Sequence, residues 1–202
     1  MDDPLRVHSP REFEFFLEVT PCARCGHGPL AAAATRAKQA DPSDQPPARI
    51  RTRCKTCKAQ RTFRVEWVEA ADDQSSEIVD LAQWMGLYFL YADRMEKAAS
   101  PADSREAAAL AAHCLAEALK FYGLDEMPPE SAFRNGQSSA AFQNNPAMFA
   151  RTHLRELEAL LPVQHTIGRD ANRADAPAAP AGDARHEGRK PWWKVWKKEK
   201  QS

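Results

Sequence analysis

The chain has 202 residues with 28 basic and 28 acidic side chains, a balance that argues against a uniformly basic nucleic-acid binder or a membrane-surface protein. The charge is nonetheless segregated: residues 20–68 hold ten basic and three acidic side chains (net +7), residues 69–162 hold seven and fifteen (net −8), and residues 189–202 hold six and one (net +5). The acidic start, MDDPLRVHSPREFEFF, lacks the positive charge and apolar run of a secretory leader, and no stretch approaches the ~18 apolar residues of a membrane span. A cytoplasmic protein is expected, with peripheral contact at a membrane left open.

Along the chain, residues 1–19 read as one short element packing on the body. Ser9-Pro10-Arg11-Glu12 has the form of a capping box with proline at the first helical position, which predicts a helix over 10–18. The alternation of Phe13, Phe15, Leu17 and Val19 also fits a strand. In residues 20–70, three strands are expected, over 30–38, 48–54 and 62–68. A polar, proline-rich turn at 41–47 forms a hairpin tip between the first two. Arg49, Arg51 and Arg53 then alternate to one side of the second strand.

The period changes from two to 3.6 at Ser76, where Ile78, Leu81, Ala82, Met85, Tyr88, Phe89, Ala92 and Met95 mark a helix over about 76–97. Ser100-Pro101-Ala102-Asp103 caps a second helix over about 101–122, stopped at Gly123, and the two should form an antiparallel hairpin. A single turn is expected at 138–143 and a last helix at about 146–161, so residues 74–162 make an acidic helical unit. Residues 163–189 are rich in Ala, Pro, Asp and Arg and carry too little apolar surface to offset chain entropy, so a disordered linker is expected there.

Four of the five cysteines carry the chemistry. Cys22, Cys25, Cys54 and Cys57 form two Cys-x-x-Cys pairs separated by 28 residues, and four thiolates are the ligand number and type of a tetrahedral structural Zn2+ site. Gly26 follows the first pair, where a free backbone lets amides turn toward sulfur; Lys58 holds the matching place after the second. Arg24, Arg53, Lys55, Lys58 and Arg61 offset the net −2 charge of four thiolates on a divalent ion. A rubredoxin-like iron site uses the same knuckles and is the alternative metal.

At these residues the chain resembles the zinc-ribbon family, in which two knuckles pin one end of a three-stranded sheet. The resemblance covers residues 20–68 and implies that fold and those four ligands; Lys58 departs from the version with glycine after both pairs. The fold class expected is therefore α+β: an N-terminal three-stranded zinc ribbon, a small all-α unit, and a disordered C-terminal tail.

Other polar residues lack a catalytic constellation. His113 and Cys114 are neighbours on a helix and point about 100° apart, so Cys114 belongs with Leu110 and Ala118 on the apolar stripe. His27 reads as a surface residue. Trp84, Leu87, Tyr91, Ala111, Leu115 and Ala118 resemble one tetratricopeptide unit. The gap from Tyr91 to Ala111 is too long for that repeat and no second copy follows, so ordinary helix-pair packing is expected.

Two surfaces remain for partners. Arg49, Arg51, Arg53, Arg61 and Arg64 can meet phosphates, which makes a nucleic-acid-binding regulator the alternative function. In residues 190–202, Trp192, Trp193 and Trp196 oppose Lys194, Lys197 and Lys198 on a helical wheel, a pattern suited to a protein groove or an anionic membrane surface. The leading expectation is a non-catalytic zinc-binding adaptor or regulatory protein whose tail captures such a partner, with no small-molecule substrate.

Overall fold

In the computed structural model, residues 3–32 and 48–162 are described. They form a mixed α+β structure with a four-stranded sheet and five α-helices. The proline-rich hairpin tip, the linker after residue 162 and the tryptophan-bearing tail lie outside the described residues.

The sheet has one strand more than the sequence pattern predicts. β1 (Leu5–Val7) runs parallel to β4 (Gln60–Trp67), which pairs antiparallel with β3 (Ala48–Cys54), which pairs antiparallel with β2 (Leu30–Ala32). The register sets Leu5 beside Val65 and Val7 beside Trp67. β1 is three residues long, too short for a period-two pattern to register. Its existence depends on a partner some sixty residues away in sequence.

Alternation along β3 and β4 sends Ile50, Thr52, Cys54, Phe63 and Val65 to the inner face. There Cys54, Phe63 and Val65, with Ile50 against them, form a hydrophobic cluster with Val7, Phe13, Leu17, Cys22 and Leu30, and the buried Thr52 hydroxyl donates to the Arg61 carbonyl at 3.0 Å. The helix α1 (Pro10–Val19) lies against this face. Phe13 meets Phe63 and Trp67 edge-on at 6.1 and 6.4 Å, and Phe16 meets Phe63 at 5.5 Å. Ser9 caps α1 by accepting from the Glu12 amide at 3.1 Å, as the sequence signature implies. The Glu12 carboxylate reaches past Ser9 and accepts from the His8 amide at 2.5 Å.

The opposite side of α1 faces a second, larger cluster. Phe15 packs against Trp84, Tyr91 and His113 at ring distances of 5.3, 6.0 and 5.4 Å. This is why α1 shows apolar residues at both helical and alternating spacing: its buried side chains serve two cores. Glu18 ties the same helix to the next by accepting from the Tyr91 hydroxyl at 2.6 Å and pairing with Arg94 at 2.8 Å.

The helices α2 (Leu81–Glu96) and α3 (Pro101–Leu119) form an antiparallel hairpin, with Trp84 near His113 at one end and the Ser104 hydroxyl bonded to the Met95 carbonyl at the other. Ala107, Ala108, Ala111 and Ala118 are buried on α3, and their small side chains allow close approach of the two helices. α2 begins at Asp80, later than the Ser76 start that the periodicity suggests. Asp80 and Gln83 form a reciprocal capping box, and the Ser76 hydroxyl instead accepts from the amides of Ile78 and Val79 in a local turn.

α3 ends at Leu119 through tightened turns in which Phe121 and Tyr122 bond back three residues, so Gly123 is not the residue that stops it. α4 (Gly136–Asn144) and α5 (Arg151–Leu160) complete the second cluster, with Phe133, Phe142 and Phe149 packed ring against ring. Asp80 also accepts from the Arg134 amide and the Asn135 side chain, which anchors the segment before α4 to the start of α2. No described helix is long and apolar enough to cross a membrane.

Candidate metal centre and basic sheet face

The turn after α1 and the β3–β4 turn bring the four cysteines together. Cys22, Cys25, Cys54 and Cys57 place their sulfur atoms within 4.8 Å of one another, with Cys22 Sγ to Cys57 Sγ at 3.6 Å and Cys25 Sγ to Cys54 Sγ at 3.8 Å. A disulfide needs sulfurs about 2.05 Å apart, so all four are free thiols. A metal with bonds of about 2.3 Å to four tetrahedral sulfurs requires sulfur separations near ~3.8 Å, which both close pairs meet. The donor set therefore fits one tetrahedral metal ion.

The two knuckles repeat one backbone design. The Cys22 amide donates to the His27 carbonyl at 2.7 Å and the Gly26 amide to the Cys22 carbonyl at 2.8 Å. Thirty-two residues on, the Cys54 amide donates to the Ala59 carbonyl at 2.9 Å and the Lys58 amide to the Cys54 carbonyl at 3.1 Å. Gly26 has φ +68°, and Lys58 takes the same left-handed conformation at φ +61°. That role of Lys58 is hidden in its residue type; its position, directly after Cys-x-x-Cys, is the signal that reveals it. The knuckles are also joined to each other, by the Lys55 amide on the Pro29 carbonyl and the Thr56 hydroxyl on the Gly28 carbonyl.

The electrostatics follow the same repeat. The amides of Cys57 and Thr56 stabilise the Cys54 thiolate against the opposing effect of burial and bring its pKa down to about 6. Cys22 is likewise lowered by the amides of Cys25 and Arg24. Cys25 benefits from the His27 amide, but burial and the three neighbouring sulfurs outweigh it and push its pKa up to about 11. Four sulfurs this close resist carrying four negative charges unless a cation shares them. His27 is exposed, with its ring against the Cys25 carbonyl, and does not join the cluster.

The structure divides the five candidate arginines. Arg49, Arg51 and Arg53 are exposed on the outer face of β3, and register sets Arg64 of β4 directly opposite Arg49 on the same face. Arg61 lies on the other side, with its guanidinium 4.5 Å from the centre of the Phe63 ring. Phe63 and Trp67 both contribute to the inner cluster, so neither presents a ring on the arginine face. Cys114 is fully buried among apolar residues, and burial holds its thiol far above the ordinary range. His8 and Glu12 form a buried polar pair that the sequence pattern does not reveal, with His8 Nε2 and Glu12 Oε1 both enclosed.

No family model, no curated protein and no solved structure matches the chain.

Proposed function

We infer that the protein is a non-catalytic adaptor or regulatory protein in which Cys22, Cys25, Cys54 and Cys57 hold one structural zinc ion in a ribbon-type module. The observation that carries this reading is the closed sulfur cluster on two equivalent knuckles, with sulfur separations suited to a tetrahedral ion. Catalytic zinc keeps one position for water or substrate, and four thiolates leave none. The metal pins β2, the β3–β4 turn and the end of α1 to one another, and so fixes the sheet on which a partner can be met.

Support for a capture role in the tail comes from sequence: Trp192, Trp193 and Trp196 opposite Lys194, Lys197 and Lys198 suit a protein groove or an anionic membrane surface. Metal analysis of the purified full chain tests the central claim. One zinc per chain is expected, and Cys54→Ser should release it and unfold the sheet region. Metal content near zero in protein purified without chelator, or one iron per chain with a visible charge-transfer band, refutes the assignment.

A further inference from the structure

We propose that the outer face of β3 and β4 is a docking surface for the phosphate backbone of a nucleic-acid duplex, contacted by Arg49, Arg51, Arg53 and Arg64. This names the partner of the zinc-pinned sheet and so rests on the reading above.

Alternate residues on a strand are about 7 Å apart, so the three guanidinium groups of β3 form a row at regular intervals along the strand. Arg64 widens the row by one strand at its Arg49 end. Consecutive phosphates of a nucleic-acid strand lie at a comparable spacing, and a planar guanidinium grips a phosphate through two parallel hydrogen bonds. A linear array of this kind matches a linear polyanion better than a single anionic group.

The face is costly to keep for folding alone. Arg49, Arg51 and Arg53 repeat one charge along a single face of one strand, and like charges repel one another there. Among the described residues, Arg49, Arg51 and Arg53 take part in no ion pair. Glu66, two residues beyond Arg64 on β4, brings one carboxylate to the same face; it sits beside Arg6, which is itself paired with Glu77 at 2.9 Å. Thr62 and Gln60, opposite Arg51 and Arg53, add neutral polar groups that suit phosphate and sugar oxygens.

Among the described residues no aromatic ring lies on this face, and that selects among nucleic acids. Single strands are bound by stacking bases on aromatic side chains, and Phe63 and Trp67 are committed to the inner core. Contacts made by arginine alone read the backbone, so a duplex is bound with little regard to sequence.

The test is fluorescence-anisotropy titration of the zinc-loaded full chain with a labelled DNA duplex at several salt concentrations. Four phosphate contacts predict a slope of log affinity against log salt near about −3.6, a loss of roughly 150-fold between 50 and 200 mM salt. Replacing Arg49, Arg51 and Arg53 together with Gln should reduce the loss to about 3.5-fold. The matching Lys triple should keep the wild-type slope.

Zinc content and thermal midpoint, measured on the same samples, show whether each variant is folded; if the Gln triple is not, Arg51→Gln alone should flatten the slope by about 0.9. No duplex binding at 50 mM salt overturns the proposal. So does a wild-type slope in a folded Gln triple, or tight binding to polyglutamate or anionic vesicles without binding to duplex. If the chain binds duplex through these arginines but holds no zinc, the metal assignment fails and the docking surface stands.

Discussion

Lys58 gives a quantitative handle on the knuckle design because it occupies a conformation that its neighbour in the repeat, Gly26, adopts freely. A residue with a side chain in the left-handed region costs about 1–2 kcal/mol, and glycine avoids that cost while losing about 0.5–1 kcal/mol more chain entropy on folding. Lys58 also places its ammonium on the Lys55 carbonyl at 2.6 Å, an exposed contact that any truncation removes. Lys58→Ala therefore serves as the reference, since it loses the contact and keeps the strain.

Relative to that alanine, Lys58→Gly should stabilise the zinc-loaded protein by about 0.5–1 kcal/mol. A gain of that size is a midpoint rise of roughly 1–4 °C in a chain of this length, and up to about fivefold in apparent metal affinity. Gly26→Ala should move both quantities the other way by a similar amount. Thermal unfolding and competition with a chromophoric zinc chelator read the two effects. If Lys58→Gly is no more stable than Lys58→Ala, and Gly26→Ala is silent, the two knuckles do not share the backbone geometry described above.

Two further predictions concern the cores. Phe15→Ala removes a buried ring that meets Trp84, Tyr91 and His113, and should cost about 3–5 kcal/mol in urea unfolding; a cost under about 1 kcal/mol would mean that α1 is not seated between the clusters. Cys114 stays protonated in the folded chain because burial raises its pKa, whereas in the unfolded chain it ionises near the ordinary pKa of about 8.5. The unfolded state then binds fewer protons above that pH, so stability should fall as pH rises through it. Cys114→Ala should flatten the alkaline limb, and an unchanged limb would contradict its burial.

The cysteine cluster was legible because each Cys-x-x-Cys sets two thiols and a local turn within four residues, with no need for tertiary information. The start of α3 was equally plain, since Ser100 and Asp103 form a cap out of adjacent residues. What escaped depends on partners far away in sequence. β1 exists because Val65 and Trp67 receive it, and α2 starts at Asp80 because that carboxylate is held by Arg134 and Asn135 as well as by Gln83. The arginine pattern was visible and alternation alone sets Arg61 and Arg64 on opposite faces of one strand, but only register shows that Arg64 is the one beside Arg49 and that Arg61 folds over Phe63.

The seat of α1 between two cores has a consequence for the order in which the chain is made. Val7 of β1 precedes Phe13, Phe15, Phe16 and Leu17 off the ribosome, but their larger neighbours come late: Phe63 and Trp67 follow some fifty residues later and Trp84 and His113 later still. At synthesis rates of about 5–20 residues per second, this apolar helix waits several seconds for its neighbours. During that interval its apolar side chains are open to chaperones and to misassociation.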